Sequence, residues 1–369
     1  MENEKISVKE LQQLLNLKEH VFILDVRPKS QAEEWHIEGS LHKDAYEELK
    51  NGDRSVLDGL EIPANSTVVT VCAAGRVSNI AADILREKGY KALSLEGGMK
   101  AWNYAWNRAE TFIEGSDVQI IQVRRAAKGC LSYVIGSAGE AIVIDASLDP
   151  QVYMDIAKTN HWQIRYVMDT HIHADYLSRT AELSKASDAA HIFIDVAVVD
   201  YPFKPVKNGD VLRFGNTSVS MMHTPGHTKE SVTYMLENKA AFTGDTLFTD
   251  GVGRPDLKAD LEEARIKSGQ LYDSLQCILA IGEDTWILPA HISTTVAFDN
   301  KLISGSAATL KHSLDILKMA KGDFIEETIN RIPPTPPNYL IIAELNKSGS
   351  REGIVPADLE AGANRCAII

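Results

Sequence analysis

Two α/β domains in series are what this sequence predicts, and three observations carry that expectation. The chain has 369 residues, more than one hydrophobic core ordinarily supports. Strand-like and helix-like segments alternate through roughly the first hundred residues around a single cysteine, Cys72. Beyond residue 115 a different pattern repeats, in which an apolar strand runs straight into a short polar segment carrying His or Asp. The domains are accordingly placed at residues 1–110 and 115–350, with 351–369 as a C-terminal tail.

In the first domain Ser7 is the expected N-cap of a helix over residues 8–17, and residues 21–24 read as a buried strand ending at Asp25. Residues 68–71 form a second such strand, ending at Cys72. Helical periodicity over residues 79–88 stops at Gly89, a favourable residue just past a helix end. The pattern weakens over 108–116, where the boundary falls, and new strands are expected at 118–123 and 132–135. Then residues 165–169 lead to His171, 219–222 to His227, 241–243 to Asp245 and 286–288 to His291. Sites in α/β folds collect at strand ends, so these side chains are expected to converge on one sheet edge. Residues 307–318 read as helical, whereas Pro333-Pro-Thr-Pro-Pro favours extended surface chain.

A content of 44% hydrophobic and 24% charged residues is that of a globular protein, not of a disordered chain or a fibre. The formal net charge of −13 and the lack of a basic stripe exclude nucleic acid as a partner. The N-terminus is charged from the start and no apolar run approaches bilayer-spanning length, so no membrane association and a cytoplasmic location are expected. The cysteines Cys72, Cys130, Cys277 and Cys366 show no paired spacing, which speaks against a disulfide framework or a zinc knuckle. Cys130 and Cys277 have apolar neighbours and are expected in the core. Cys366-Ala-Ile-Ile has the outline of a prenylation box, but no polybasic segment precedes it and the likeness is read as chance.

Cys72 ends a strand and precedes Ala73, Ala74, Gly75, Arg76, Val77 and a helix, a position where backbone N–H groups and the helix dipole stabilise a thiolate or persulfide. Gly75 lets that loop turn with positive φ. Asp25-Val-Arg27, His36-Ile-Glu-Gly-Ser40, the loop from Cys72 to Ser78, and Leu95-Glu-Gly-Gly-Met-Lys-Ala-Trp102 together resemble a single-domain rhodanese over about residues 5–107. The resemblance implies that Cys72 accepts a sulfane sulfur and passes it to a thiol or anion. The short loop favours sulfur over the phosphoryl transfer of related phosphatases. Rhodaneses commonly carry a second arginine where this chain has Val77, which points away from thiosulfate as a good donor and leaves persulfide exchange intact.

In Thr170-His-Ile-His-Ala-Asp-Tyr176, two histidines at period-2 spacing lie on one side of an extended segment, with Asp175 close by. Followed in order by Thr224-Pro-Gly-His227, Gly244-Asp245-Thr and Pro289-Ala-His291, this run resembles the metallo-β-lactamase superfamily over about residues 115–350, implying an αββα sandwich. Dinuclear zinc hydrolases of glyoxalase II type carry a histidine where this chain has Tyr176, and a phenol is a poorer neutral-pH ligand. Gly244-Asp-Thr-Leu-Phe, Gly253-Arg-Pro-Asp256 and Pro336-Pro-Asn-Tyr-Leu-Ile-Ile-Ala-Glu-Leu-Asn346 are similar to the persulfide dioxygenases. That resemblance implies one Fe(II) held by His171, His227 and Asp245, with open positions for O2 and a substrate sulfur. It leaves His173, Asp175 and His291 as neighbours that orient ligands or water, and makes Arg254 the expected binder of the anionic thiol carrier or developing sulfite.

The resulting expectation is oxidation of a low-molecular-weight persulfide, glutathione persulfide by resemblance, to sulfite, coupled to sulfur exchange with sulfite or thiosulfate at Cys72. Two alternatives stay open: a zinc-dependent thioester hydrolase of glyoxalase II type with an attached sulfurtransferase, and a non-catalytic sulfur carrier. A homo-oligomer is compatible with each.

Overall fold

The computed structural model describes residues 4–257, 259–336 and 338–369. Its first sheet contains β1 (Lys5–Ile6), β2 (Val21–Asp25), β3 (Leu41–His42), β4 (Thr67–Val71) and β5 (Ala92–Leu95), in the order β1-β5-β4-β2-β3. Every pairing is parallel. The helices α1 (Val8–Asn16), α2 (Lys29–Glu34), α3 (Tyr46–Lys50), α4 (Arg76–Glu87) and α5 (Gly98–Trp102) connect and flank these strands. Ser7 caps α1 as expected. Its hydroxyl accepts from Glu10 N–H at 3.2 Å while the Glu10 carboxylate accepts from Ser7 N–H at 2.8 Å, a reciprocal capping box. α4 begins at Arg76, three residues before the periodicity becomes legible, because Gly75 turns the chain at φ +87 and Val77 is already buried on the inner face.

Sheet membership changes at Trp106, earlier than the expected boundary. A second sheet comprises β6 (Trp106–Phe112), β7 (Gln119–Arg125), β8 (Leu131–Ser137), β9 (Glu140–Ile144), β10 (Gln163–Met168), β11 (Ala190–Ile194) and β12 (Lys204–Val206), paired in sequence order. β6 to β9 are antiparallel and β9 to β12 parallel, the first two parallel steps crossing through α6 (Pro150–Thr159) and α7 (Thr180–Ser187). The third sheet contains β13 (Val211–Phe214), β14 (Thr217–His223), β15 (Val232–Leu236) and β16 (Ala240–Gly244). After the short β17 (Val252–Gly253), β18 (Trp286–Pro289) and β19 (Gly305–Ser306) complete it in the order β13-β14-β15-β16-β18-β19.

The two larger sheets face one another across a core in which Ile120, Ile135, Ile142 and Met168 meet Val219, Tyr234, Phe242 and Leu288. Alternate residues of the same strands, such as Val134 and Val143, point outward onto Ile156 of α6 and Leu183 of α7. Ala241 and Ile287 likewise pack beneath α8 (Leu261–Leu279). This period-2 division between two apolar faces produces the αββα sandwich.

The chain then forms α9 (Ala307–Ser313), α10 (Lys321–Asn330), α11 (Tyr339–Ser348) and α12 (Pro356–Glu360), and ends in β20 (Ala367–Ile368), which pairs antiparallel with β17. Residues 351–369 are therefore packed structure and not a free tail. Glu360 of α12 is buried against Arg125 at 3.0 Å, a closed ion pair that fixes the C-terminal segment. The first domain packs directly on the second: Ala126 and Ala127 share a core with Met99 and Trp102, and Trp102 lies 6.2 Å from Phe298 between ring centroids. Trp106, inside the 1–110 span assigned to the first domain, packs on the outer core of the second. No helix among the described residues is long and apolar enough to cross a membrane.

Candidate functional site

At the end of β4, the buried Cys72 Sγ accepts hydrogen bonds from Gly75 N–H at 3.2 Å and the Ser78 hydroxyl at 3.3 Å. The first turn of α4 thus points donors at the sulfur. α5 closes the loop from behind, with Met99 N–H on Cys72 O at 2.9 Å and Lys100 N–H on Ala73 O at 3.1 Å. Ala73, Ala74 and Arg76 are exposed, and a cavity of about 250 Å³ elsewhere contrasts with one of about 120 Å³ here, lined by Lys5, Ala74, Gly75, Arg76 and Glu96. Val77 is buried and contributes nothing polar.

Gly98 is required by this packing: a Cβ there would lie 2.2 Å from Cys72 O, at φ +57. Gly98→Ala is expected to destabilise the protein by about 1–3 kcal/mol and to slow sulfur transfer, with metal content unchanged. Thermal melting, a transfer assay and metal analysis check these outcomes.

In the second domain the expected strand-end residues converge. His171 Nε2 and His227 Nε2 each lie 3.6 Å from Asp245 Oδ2, and the three ligand atoms fall within 4.8 Å of one another. Burial, reinforced by His173, His227 and His291, holds His171 well below the ordinary imidazole range. Burial also lowers His227. Burial opposes ionisation of Asp245, but His291 and then His227 outweigh it and pull the carboxyl down to about 2. Two neutral imidazoles and a carboxylate result. His171 Nε2 and Asp245 Oδ2 are buried without a hydrogen-bond partner among the described residues, the state a shared cation would relieve.

Residues outside the expected set orient these ligands. His171 Nδ1 lies 2.9 Å from Thr170 Oγ1, which donates to Asp145 Oδ2 at 2.9 Å; with the hydroxyl proton committed to Asp145, Nδ1 is the donor and Nε2 keeps its lone pair. Asp145 sits at φ +56, a conformation Asp tolerates, and also accepts Thr170 N–H at 2.7 Å. His227 Nδ1 donates to Arg254 O at 2.9 Å and is fixed in the same tautomer. At Gly253 a Cβ would lie 2.0 Å from Asp245 O, so the backbone passes too close for any side chain.

His173 faces elsewhere. Its Nε2 lies 3.1 Å from Asp145 Oδ1 and 2.9 Å from the Tyr176 hydroxyl, and its ring stacks on Tyr176. Burial opposes its protonation, but Asp145 and Asp169 raise it above the ordinary range. His291 lies between two carboxylates, with Nδ1 2.5 Å from Asp245 Oδ1 and Nε2 2.8 Å from Asp175 Oδ2. The second contact is close but poorly aligned, leaving Nε2 without a proper hydrogen bond.

Arg254 departs from the expectation that it binds an anionic substrate. Its guanidinium is fully buried and pairs with both Asp256 oxygens at 2.7 Å. The remaining donors reach Pro333 O, Thr335 Oγ1 and Arg365 O. Asp256 neutralises it, so it braces the proline-rich stretch and the C-terminus; its carbonyl, not its charge, serves the metal centre. The 250 Å³ cavity lies beside residues flanking the centre, Ile172, Ala174 and Thr228, and includes Lys229, Lys267 and Lys347.

Three further residues surround the site without having been expected there. Cys130 is buried with Sγ 3.4 Å from Asp175 Oδ2. Asn364 donates to the same oxygen at 2.8 Å. Cys366 is buried within reach of Asp245 and His291, which removes it from any lipidation chemistry. Cys277, expected in the core, is exposed on α8. His223 bonds Lys229 O at 2.8 Å and joins neither cluster.

Known proteins show matching features. Residues 7–105 match the rhodanese-like domain family, and residues 126–308 match the metallo-β-lactamase superfamily. The hydroxyacylglutathione hydrolase of Francisella philomiragia is 34% identical over 167 residues, 43% of this chain and 61% of that protein. That of Francisella tularensis subsp. novicida is 34% identical over 163 residues, with the same coverage. The chain thus spans under two thirds of the length of these relatives. Among solved structures, a metallo-β-lactamase from Staphylococcus aureus superposes with TM-score 0.55 at 23% identity, covering 66% of this chain and 73% of that one. ETHE1 from Myxococcus xanthus gives TM-score 0.53 at 24% identity, covering 66% of this chain and 99% of that one. These two likenesses establish the fold.

Proposed function

Because the chain is a rhodanese-like domain followed by a metallo-β-lactamase domain, we propose that it oxidises a low-molecular-weight persulfide, glutathione persulfide first among them, to sulfite and exchanges sulfane sulfur through Cys72. The observation that carries this reading is the buried His171, His227 and Asp245 set, two neutral imidazoles and one carboxylate converging from separate strand ends. When bound there, Fe(II) supplies sites for O2 and a sulfur ligand. The overall reaction balances as persulfide plus O2 plus water giving thiol, sulfite and two protons.

The chain's own residues divide the work. Thr170 and Arg254 O present the two Nε2 atoms, while Asp145 and Tyr176 hold His173 aside. Lys229, Lys267 and Lys347 line the adjoining cavity and offer cations to the carboxylates of a thiol carrier. At Cys72 a persulfide sits under the Gly75 and Ser78 donors, and transfer of its outer sulfur to sulfite yields thiosulfate and regenerates the thiol. The product of one domain is thereby an acceptor for the other.

Tyr176→Phe deletes one hydroxyl and frees His173 toward the metal. Oxygen uptake is expected to fall on the order of 10-fold, with a changed spectrum of the Co(II)- or Fe(II)-loaded centre. Unchanged turnover and spectrum would remove Tyr176 from the account.

A second reading, zinc-dependent thioester hydrolysis, is favoured by the similarity to hydroxyacylglutathione hydrolases over 43% of the chain. It predicts S-lactoylglutathione turnover without oxygen; the persulfide reading predicts none.

A further inference from the structure

Behind the Cys72 sulfur stands a second hydroxyl that the motifs of the first domain do not account for. Ser78, in the first turn of α4, donates to Cys72 Sγ at 3.3 Å, and the Ser94 hydroxyl of β5 lies 2.9 Å from Ser78 Oγ. Both serines are fully buried, in a layer where Val77, Ala81 and Ala92 form the surrounding core. Among the described residues the Ser94 hydroxyl has Ser78 Oγ as its hydrogen-bond partner and no other. A buried hydroxyl is costly unless its bonds are made, so packing alone would favour alanine at position 94.

The backbone fixes this arrangement. β4 and β5 run parallel with Thr70 opposite Ser94, and the Thr70 hydroxyl donates to Ser78 O at 2.7 Å, pinning the first turn of α4 to the sheet. Ser94 N–H donates to Glu4 O at 3.1 Å. The protons then have a direction. Cys72 Sγ accepts from Gly75 N–H and from Ser78; with the single Ser78 proton committed to sulfur, the proton between the two serines is that of Ser94. Every donor is used when Sγ carries no proton, as a thiolate or as the inner sulfur of a persulfide. A thiol proton directed at Ser78 reverses the chain, and the Ser94 proton is then left in a buried site without an acceptor.

We propose that Ser94 is a positioning residue for Cys72: acting through Ser78, it aims a hydroxyl proton at Sγ and favours the proton-free sulfur that accepts and carries sulfane sulfur. Deprotonation sends the thiol proton to solvent, and the serine protons only reorient. The proposal rests on the reading of Cys72 as the sulfur carrier and does not involve the metal centre. The charged groups around the loop are Lys5, Arg76 and Glu96 at the adjoining cavity, Lys100 of α5 paired with Asp358, and Asp25 paired with Arg27 at the end of β2. Ser94 bonds to none of them among the described residues, so a substitution there leaves their charges in place.

The test is the pH dependence of Cys72 alkylation by iodoacetamide in the full-length protein, followed on the Cys72 peptide by mass spectrometry so that exposed Cys277 does not contribute. Ser94→Ala is expected to move the midpoint of the profile upward and to slow alkylation on its acid side about 3- to 10-fold, with the alkaline limit little changed. Ser78→Ala is expected to shift the midpoint in the same direction, and the double variant to go no further than Ser78→Ala, because Ser94 acts through Ser78. An unshifted midpoint in Ser94→Ala, or a double variant in which the two shifts add, would overturn the proposal. Neutron diffraction from wild-type crystals held above the midpoint requires no substitution and decides the matter even if a variant does not fold. The Ser94 deuteron is expected to point at Ser78 Oγ; a Ser78 deuteron pointing at Ser94 contradicts the proposal. Alkylation needs no sulfur donor, so the carrier reading, tested by sulfur transfer in Cys72→Ser, stands or falls separately.

Discussion

Asp245→Asn protein is expected to retain its fold yet hold no iron after anaerobic loading and desalting, and to take up oxygen with glutathione persulfide no faster than metal-free protein. Asp245 is central because its Oδ2 faces both His171 and His227 Nε2 at 3.6 Å while its Oδ1 meets His291 at 2.5 Å. The amide keeps the shape but removes the charge that matches a cation, and it leaves His291, raised well above the ordinary range because Asp175 and Asp245 outweigh burial, with one anionic partner fewer. Loss of a buried charge partner costs about 3–5 kcal/mol, so some lowering of the melting temperature accompanies the loss of metal. Metal analysis, oxygen uptake and circular dichroism separate these effects. Full iron occupancy in this variant would move the centre elsewhere.

Cys72→Ser is expected to have the opposite profile, with no sulfur transfer and undiminished oxygen uptake on glutathione persulfide. The serine fits the same pocket and can still bond to Gly75 N–H, so the fold is retained, but an alcohol neither carries sulfane sulfur nor exchanges it. Parallel assays of thiosulfate formation and oxygen consumption check this. If uptake also ceased, the two domains would form one obligatory sequence beginning at Cys72. If transfer continued, another thiol would be the carrier, and exposed Cys277 would be the first to test. A purely carrier role for the whole chain predicts no uptake even in the wild type.

The parts of this architecture legible in the sequence are those set by local periodicity. The convergence of His171, His227, Asp245 and His291 followed from each being preceded by an apolar strand, while the αββα sandwich was implied by the resemblance of those motifs to the metallo-β-lactamase superfamily. Asp145 carried the same signal, since Ala141-Ile-Val-Ile runs directly into it, and it was available to the same reasoning. Long-range packing was not legible. Asp256 is a local partner, but nothing local marks Arg254 as a bracing residue, because Pro333, Thr335 and Arg365 meet it only after the C-terminus folds back. Cys366 looked like a terminal residue because two-residue strands such as β20 have no periodicity to detect. Trp106 stands just before the stretch where the pattern weakens, and its sheet membership is decided by pairing with Arg125.

The most direct test of the proposed activity is oxygen-electrode measurement on Fe(II)-loaded wild-type protein given glutathione persulfide, with sulfite quantified in the same vessel. The account predicts rapid uptake with one sulfite formed per O2 consumed. No uptake with iron confirmed at the His171, His227 and Asp245 centre, together with turnover of S-lactoylglutathione by the zinc form, would contradict it and establish the hydrolase reading in its place.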